Sequence, residues 1–269
     1  MMKAGICSII WKDRLSLPDV IATAVRVGAQ GIEVWGQPPH IPESLDVEGV
    51  ARIRQELREH GLGAPQYGSY ARAGEPPFRA QLVRSLDVTE ALGARACRIW
   101  AGSADAEVLD GAGWERVQAD LRFACEQAEE RGLLITLERH SHTVTNRLWG
   151  CMRTLEEVRH PALRINFQIQ GTAPATIAEE IRLLGPHILN IHAINYEISP
   201  AGRSMSPLGR GEVDWAHLVQ CLNAAGNDGY VEVEFVNRGS APLPLKNLEQ
   251  ELAKDIAFLN SVFATLPTP

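Results

Sequence analysis

Short, nearly continuous apolar runs alternate along the chain with longer stretches whose apolar residues recur every three or four positions. The first kind reads as strands buried on both faces, the second as amphipathic helices. Strands are predicted at 4–10, 31–35, 62–67, 94–100, 133–138, 163–167, 188–194 and 230–236. Between them Val20, Ala24 and Val27, then Val50, Ile53 and Leu57, then Leu121, Ala124 and Ala128 mark helix faces turned toward a core. Ser16 with Pro18 signals a helix start, and Gly28, Gly61, Gly93, Gly132 and Gly226 fall where helices should stop. Eight strand and helix cycles in about 260 residues predict an α/β fold, a single-domain (β/α)8 TIM barrel over 1–265. The Pro-rich end, 266–269, is expected to be a disordered tail. No GxGxxG turn follows a strand, which removes the main support for a dinucleotide-binding sheet.

Polar residues close four successive predicted strands: Glu138, Gln168, His192 and Glu234. In a parallel barrel the C-terminal strand ends share one mouth, so the four should converge there. Strand side chains alternate faces, which carries Thr136, Asn166, Arg164, Asn190 and Glu232 inward with them, and Arg98 with Trp100. An unpaired carboxylate inside would cost several kcal/mol, so Glu232 is expected to pair with Arg164 or Arg98. Two carboxylates, an amide oxygen and an imidazole make a divalent-metal site with positions left for substrate oxygens. Each residue alone also has a structural reading, as a helix cap, a salt-bridge partner or a core histidine.

Composition narrows the picture. A chain of 269 residues, 45% hydrophobic and 22% charged, can bury a substantial core. Its net charge of -7 argues against a phosphate-tracking surface, so no nucleic-acid partner is expected. The five cysteines are scattered, without a CxxC pair, which favours a reducing cytoplasm over a disulfide framework or zinc knuckle. No apolar run approaches ~20 residues, so no membrane span is expected.

The segments GIEVWG (31–36), GARACRIWAG (93–102), ITLERH (135–140), NIHAINY (190–196), PLGRGEVDW (207–215) and GYVEVEF (229–235) resemble the xylose isomerase-like TIM-barrel superfamily, in particular its sugar phosphate isomerase and epimerase group. The resemblance covers nearly the whole chain and implies one divalent ion (Mn, Mg, Co or Zn) held by Glu, Asp, His and Glu at the strand ends. Glu138, His192 and Glu234 match three of these positions, while Gln168 stands where the family has Asp. The resemblance further assigns proton transfer to the two glutamates. It implies an isomerase or epimerase of a keto sugar or sugar phosphate, working through a metal-stabilised enediolate. The alternatives are an inosose-type dehydratase and a non-catalytic sugar-binding barrel whose metal site Gln168 has weakened. Homo-oligomers are common in that family.

Substrate contacts are expected from His140, Trp100, Glu33, Arg203 and Arg210, the arginines meeting a phosphate or carboxylate. Trp35, Trp11 and Tyr67 would extend an aromatic wall, and His40 and His142 receive no role. The trinuclear zinc cluster of the related endonuclease IV enzymes would need more His and Asp ligands, yet Gly171 follows Gln168 and no Asp-x-His follows His192.

Overall fold

The computed structural model describes residues 1–200, 202–236 and 243–267. Eight parallel strands close a barrel: β1 (Lys3–Cys7), β2 (Ile32–Trp35), β3 (Gln66–Ala73), β4 (Ala96–Ala101), β5 (Leu134–Glu138), β6 (Leu163–Gln168), β7 (Ile188–Ala193) and β10 (Tyr230–Val233). Around the ring the order is β1, β10, β7, β6, β5, β4, β3, β2, so each strand pairs with its neighbours in the barrel sequence. The strands β8 (Asn195–Ser199) and β9 (Gly202–Ser206) form a separate antiparallel hairpin after β7, where no strand is predicted.

Helices α1 (Leu17–Val27), α2 (Val47–Glu59), α3 (Phe78–Leu92), α4 (Gly111–Glu129), α5 (Leu148–Val158), α6 (Pro174–Leu184), α7 (Trp215–Ala224) and α8 (Leu245–Phe263) coat the barrel. Their apolar stripes bury Val20, Ala24, Leu82, Leu86, Leu121, Ile181, Leu218 and Leu252 against the outer faces of the strands. The expected punctuation is present: Ser16 caps α1 through the Asp19 amide, and Gly28 ends it in the left-handed region at φ 77°. Among the described residues, no helix is long and apolar enough to cross a membrane.

Three strands depart furthest from their predicted spans. The first strand stops at Cys7 because Ser8 turns its hydroxyl inward, accepting from the Trp35 amide at 2.8 Å and bonding His40 Nδ1 at 3.0 Å. The third begins at Gln66, since Pro65 has no N–H to give the ladder, and runs on to Ala73. The last ends its regular ladder at Val233, although the Glu234 amide still reaches Ala193 O at 3.4 Å. At the C-terminus Leu266 packs on the core, and Thr268 and Pro269 lie outside the described residues.

Candidate active site

Barrel interiors usually stack branched apolar side chains, but this one is polar from floor to mouth. Glu33, Gln66, Arg98, Thr136, Glu138, Asn166, Asn190, His192 and Glu232 are all buried. The inward parity inferred from the sequence holds for β5, β6, β7 and β10, whose residues meet across the lumen: Thr136 donates to Gln66 Oε1 at 2.8 Å and Asn166 Nδ2 lies 3.1 Å from His192 Nε2. The expected ion pair of Glu232 is corrected. Its hydrogen bond comes from the Asn190 amide, because Arg98 is taken by Glu33 and Glu138 and Arg164 bonds the carbonyls of Pro161 and Leu163. Burial and the nearby Glu33 charge push the Glu232 pKa well above the ordinary carboxylate range.

At the mouth His192 is the hub. One ligand atom each from Glu138, His192 and Glu234 lies within 4.8 Å of the other two. His192 Nδ1 sits 3.3 Å from Glu138 Oε1 and 3.6 Å from Glu234 Oε1, while Nε2 is 2.6 Å from Glu33 Oε2. Gln168 joins them by donating from Nε2 to Glu234 Oε2 at 3.3 Å. A second trio, Cys7, Glu33 and His192, is equally compact, but the Glu33–His192 hydrogen bond already uses both of those groups.

The charges are strongly coupled. Burial opposes ionisation of Glu33 and Glu138, but the Arg98 guanidinium and His192 outweigh it, holding Glu33 at about 2 and Glu138 below its ordinary value. Among the described residues Glu234 has no guanidinium in contact: burial, with the Glu138 charge adding to it against the pull of His192, raises it to about 7. Burial would lower the His192 pKa, yet Glu33, Glu234 and Glu138 together raise it well above its ordinary value.

These residues fit a divalent ion. Gln168 Oε1 is buried with no hydrogen-bond partner among the described residues, leaving a carbonyl oxygen of the kind a hard cation accepts. Were a cation to displace the protons of His192 and Glu234 while Glu232 kept its own, the carboxylates of Glu33, Glu138 and Glu234 would exceed the Arg98 charge by two. A divalent cation balances that excess.

Around the rim of β2 to β5 runs an arc of rings. Trp35 Nε1 donates to the Tyr70 hydroxyl at 2.7 Å, the Tyr70 and Trp100 centroids are 6.1 Å apart, and Trp100 meets His140 edge-on at 5.2 Å. Trp100 and His140 are therefore where the sequence placed them. Glu33 is not at the rim but wholly buried beneath it, because its β2 position faces Arg98 and His192. Arg203 lies over the Tyr196 ring on the hairpin, and Arg210 is 76% exposed beside Glu197. Trp11 is enclosed in the core, and His40 is fixed between Ser8 and the Leu15 carbonyl. Tyr70 and Arg72 were missed because the third strand was ended at Tyr67, and Gln66, inside that span, was not set inward. The alternation in QYGSYARA was the available signal.

Comparison with known proteins agrees with this architecture. A 3-dehydroshikimate dehydratase of Bacillus anthracis is 24% identical over 244 residues, covering 81% of this chain and 86% of that one. A fructoselysine 3-epimerase of Escherichia coli O157:H7 is 23% identical over 252 residues, covering 87% and 90%. The crystal structure of the probable 3-DHS dehydratase involved in petrobactin synthesis from Bacillus anthracis superposes with a TM-score of 0.78 at 21% identity, over 96% of this chain and 99% of that one. The model of the xylose isomerase-like TIM barrel family matches residues 21–262, and the chain belongs to that family.

Proposed function

We propose that the protein is a divalent-metal-dependent isomerase or epimerase that moves a proton at a carbon beside the carbonyl of a small polyol or keto sugar. One observation carries this reading: the head groups of Glu138, His192 and Glu234 converge at the barrel mouth beside the unpartnered oxygen of Gln168. Glu138, Gln168, His192 and Glu234 would hold the cation, which when bound supplies Lewis-acid polarisation of a substrate carbonyl. The chain's own part is acid–base work. Glu138 and Glu234 come from strands three places apart around the ring, so one carboxylate can take a proton from the bound carbon and the other return it. Return to the opposite face epimerises the carbon, and return to its neighbour isomerises the sugar. The arc of Trp35, Tyr70 and Trp100 suits the apolar face of such a substrate and excludes water from one side of the mouth.

A second reading, loss of a β-hydroxyl, is favoured by His140. It stands two residues past Glu138 against Trp100, on the rim, where an imidazole can protonate a leaving hydroxyl. Both reactions begin with removal of the same kind of proton, and a relative of each kind is known.

The test is exchange of the carbon-bound proton in deuterated water, followed by NMR with Mn2+ or Mg2+ present, over keto-hexoses, keto-pentoses, inososes, hydroxypyruvate and 3-dehydroshikimate. Wild-type protein should exchange deuterium into at least one of them, and Glu138→Gln and Glu234→Gln should each slow it by about 10²–10⁴-fold. Recovery of an epimer or isomer supports the first reading, and an unsaturated product the second. Metal-loaded protein that exchanges none of them would leave a binding barrel.

A further inference from the structure

We propose that Glu33 is a positioning residue that decides which nitrogen of His192 faces the cation, an inference that rests on the metal site just proposed. A neutral imidazole has one N–H and one lone pair, and its partner at each nitrogen selects between the two tautomers. Nε2 of His192 faces Glu33 Oε2 at 2.6 Å and Nδ1 faces Glu138 Oε1 at 3.3 Å; both ionised carboxylates only accept, but the Glu33 contact is much the closer, so a single proton belongs on Nε2. The lone pair is then on Nδ1, the nitrogen turned toward Glu138 and Glu234. Asn166 reinforces the choice. Turned about its terminal bond, its amide offers Nε2–H the oxygen that has no partner as it stands.

Glu33 is itself held from three directions. Arg98 Nε donates to Oε1 at 2.9 Å and Gln66 Nε2 donates to Oε2 at 2.7 Å. The Thr136 hydroxyl occupies Gln66 Oε1, which leaves the Gln66 amide hydrogens for Glu33. The third direction is steric: a Cβ on Gly68 would lie 2.5 Å from Glu33 Oε1 and 2.8 Å from Arg98 Nη2, so only glycine leaves room for the pair. A relay from Thr136 through Gln66 and Glu33 to His192 thus joins β5, β3, β2 and β7, and each member's hydrogen-bond sense is fixed by the one before it. The consequence is specific to this chain. A carboxylate bonded to a ligating imidazole raises its basicity, so Glu33 returns through His192 part of the negative charge that Gln168 does not supply.

Calorimetric titration of the full-length protein with Mn2+ tests this, together with ¹⁵N NMR of histidine-labelled protein loaded with Mg2+. Wild type should bind Mn2+ and show His192 protonated at Nε2. Glu33→Gln should bind Mn2+ about 10–100-fold more weakly, with that tautomer no longer dominant. Gln66→Leu keeps every charge and removes one anchor of Glu33, and should weaken binding about fivefold; it serves where Glu33→Gln fails to fold. Wild-type binding with affinity and tautomer unchanged in Glu33→Gln, or affinity unchanged in Gln66→Leu where that variant stands in, would overturn the inference alone. A wild type that ignores millimolar Mn2+ would overturn the cation site and the inference with it.

Discussion

Glu138 and Glu234 approach the same imidazole from two sides of the barrel, yet their surroundings are opposite. On the β2 to β5 side, Arg98 spans Glu33 and Glu138, so Glu138 is an anion locked by a guanidinium. On the β6 to β10 side, Glu234 takes a long bond from the Gln168 amide and lies 3.6 Å from His192, and burial holds it at about 7. Two carboxylates from one mouth therefore differ because one side of the barrel carries a buried cation and the other carries amides. Without substrate the first is held charged, and the second can gain or lose a proton near neutrality.

The largest effect that would break this contrast is on folding. In cation-free protein, Glu138→Gln leaves the buried Arg98 with one carboxylate instead of two, and removing one partner of such a pair costs about 3–5 kcal/mol. Glu234→Gln removes a group already close to neutral and should cost under about 1 kcal/mol. Chemical denaturation of both variants at neutral pH measures the difference. Equal losses would mean that the two sides of the mouth are electrostatically alike.

A smaller effect concerns the amide side. Gln168→Asp places a third carboxylate beside Glu138 and Glu234, which should tighten Mn2+ binding about tenfold, the worth of roughly 1.4 kcal/mol in added attraction. The same change puts a like charge against Glu234 in cation-free protein and should lower its melting temperature. Titration and melting with and without Mn2+ read the two signs together, and an unchanged affinity would place residue 168 outside the ligand set.

The contrast between the two sides was half legible in the chain. The barrel followed from eight strand and helix cycles, and alternation carried Thr136, Asn166, Asn190 and Glu232 inward once Glu138, Gln168, His192 and Glu234 were set inward. Which buried charge chooses which partner is a matter of barrel stagger, and this is why Arg98 was not assigned to Glu138 and Glu33 was read as a substrate contact rather than as a partner of Arg98 and His192. The two register shifts, between Gly68 and Arg72 on β3 and between Ile165 and Asn166 on β6, cannot be read from alternation within one strand. The hairpin was hidden for a different reason: β8 and β9 lie largely outside the core, so most of their residues carry no burial pattern. What anchors that loop is Asn195, whose side chain donates to the Leu208 and Val213 carbonyls and accepts from the Tyr196 and Val213 amides.

A further effect tests whether the lack of a guanidinium in contact is what raises a buried carboxylate here. Asp255 on α8 accepts the Leu208 amide at 2.8 Å, with no cation in contact among the described residues; burial raises it from 3.8 to about 6 despite that bond. A folded-state pKa above the unfolded one means that the native chain holds the proton more tightly. The stability Asp255 contributes is therefore complete below about pH 4 and is lost as the pH rises through about 6. Asp255→Asn keeps the acceptor for Leu208 and removes the charge. Its stability relative to wild type should rise across that interval and level off above it, by about 1–3 kcal/mol in urea unfolding. A difference that stays flat with pH would show that burial with one amide donor does not raise a carboxylate in this barrel. The asymmetry between Glu234 and Glu138 would then need a cause other than the absent guanidinium.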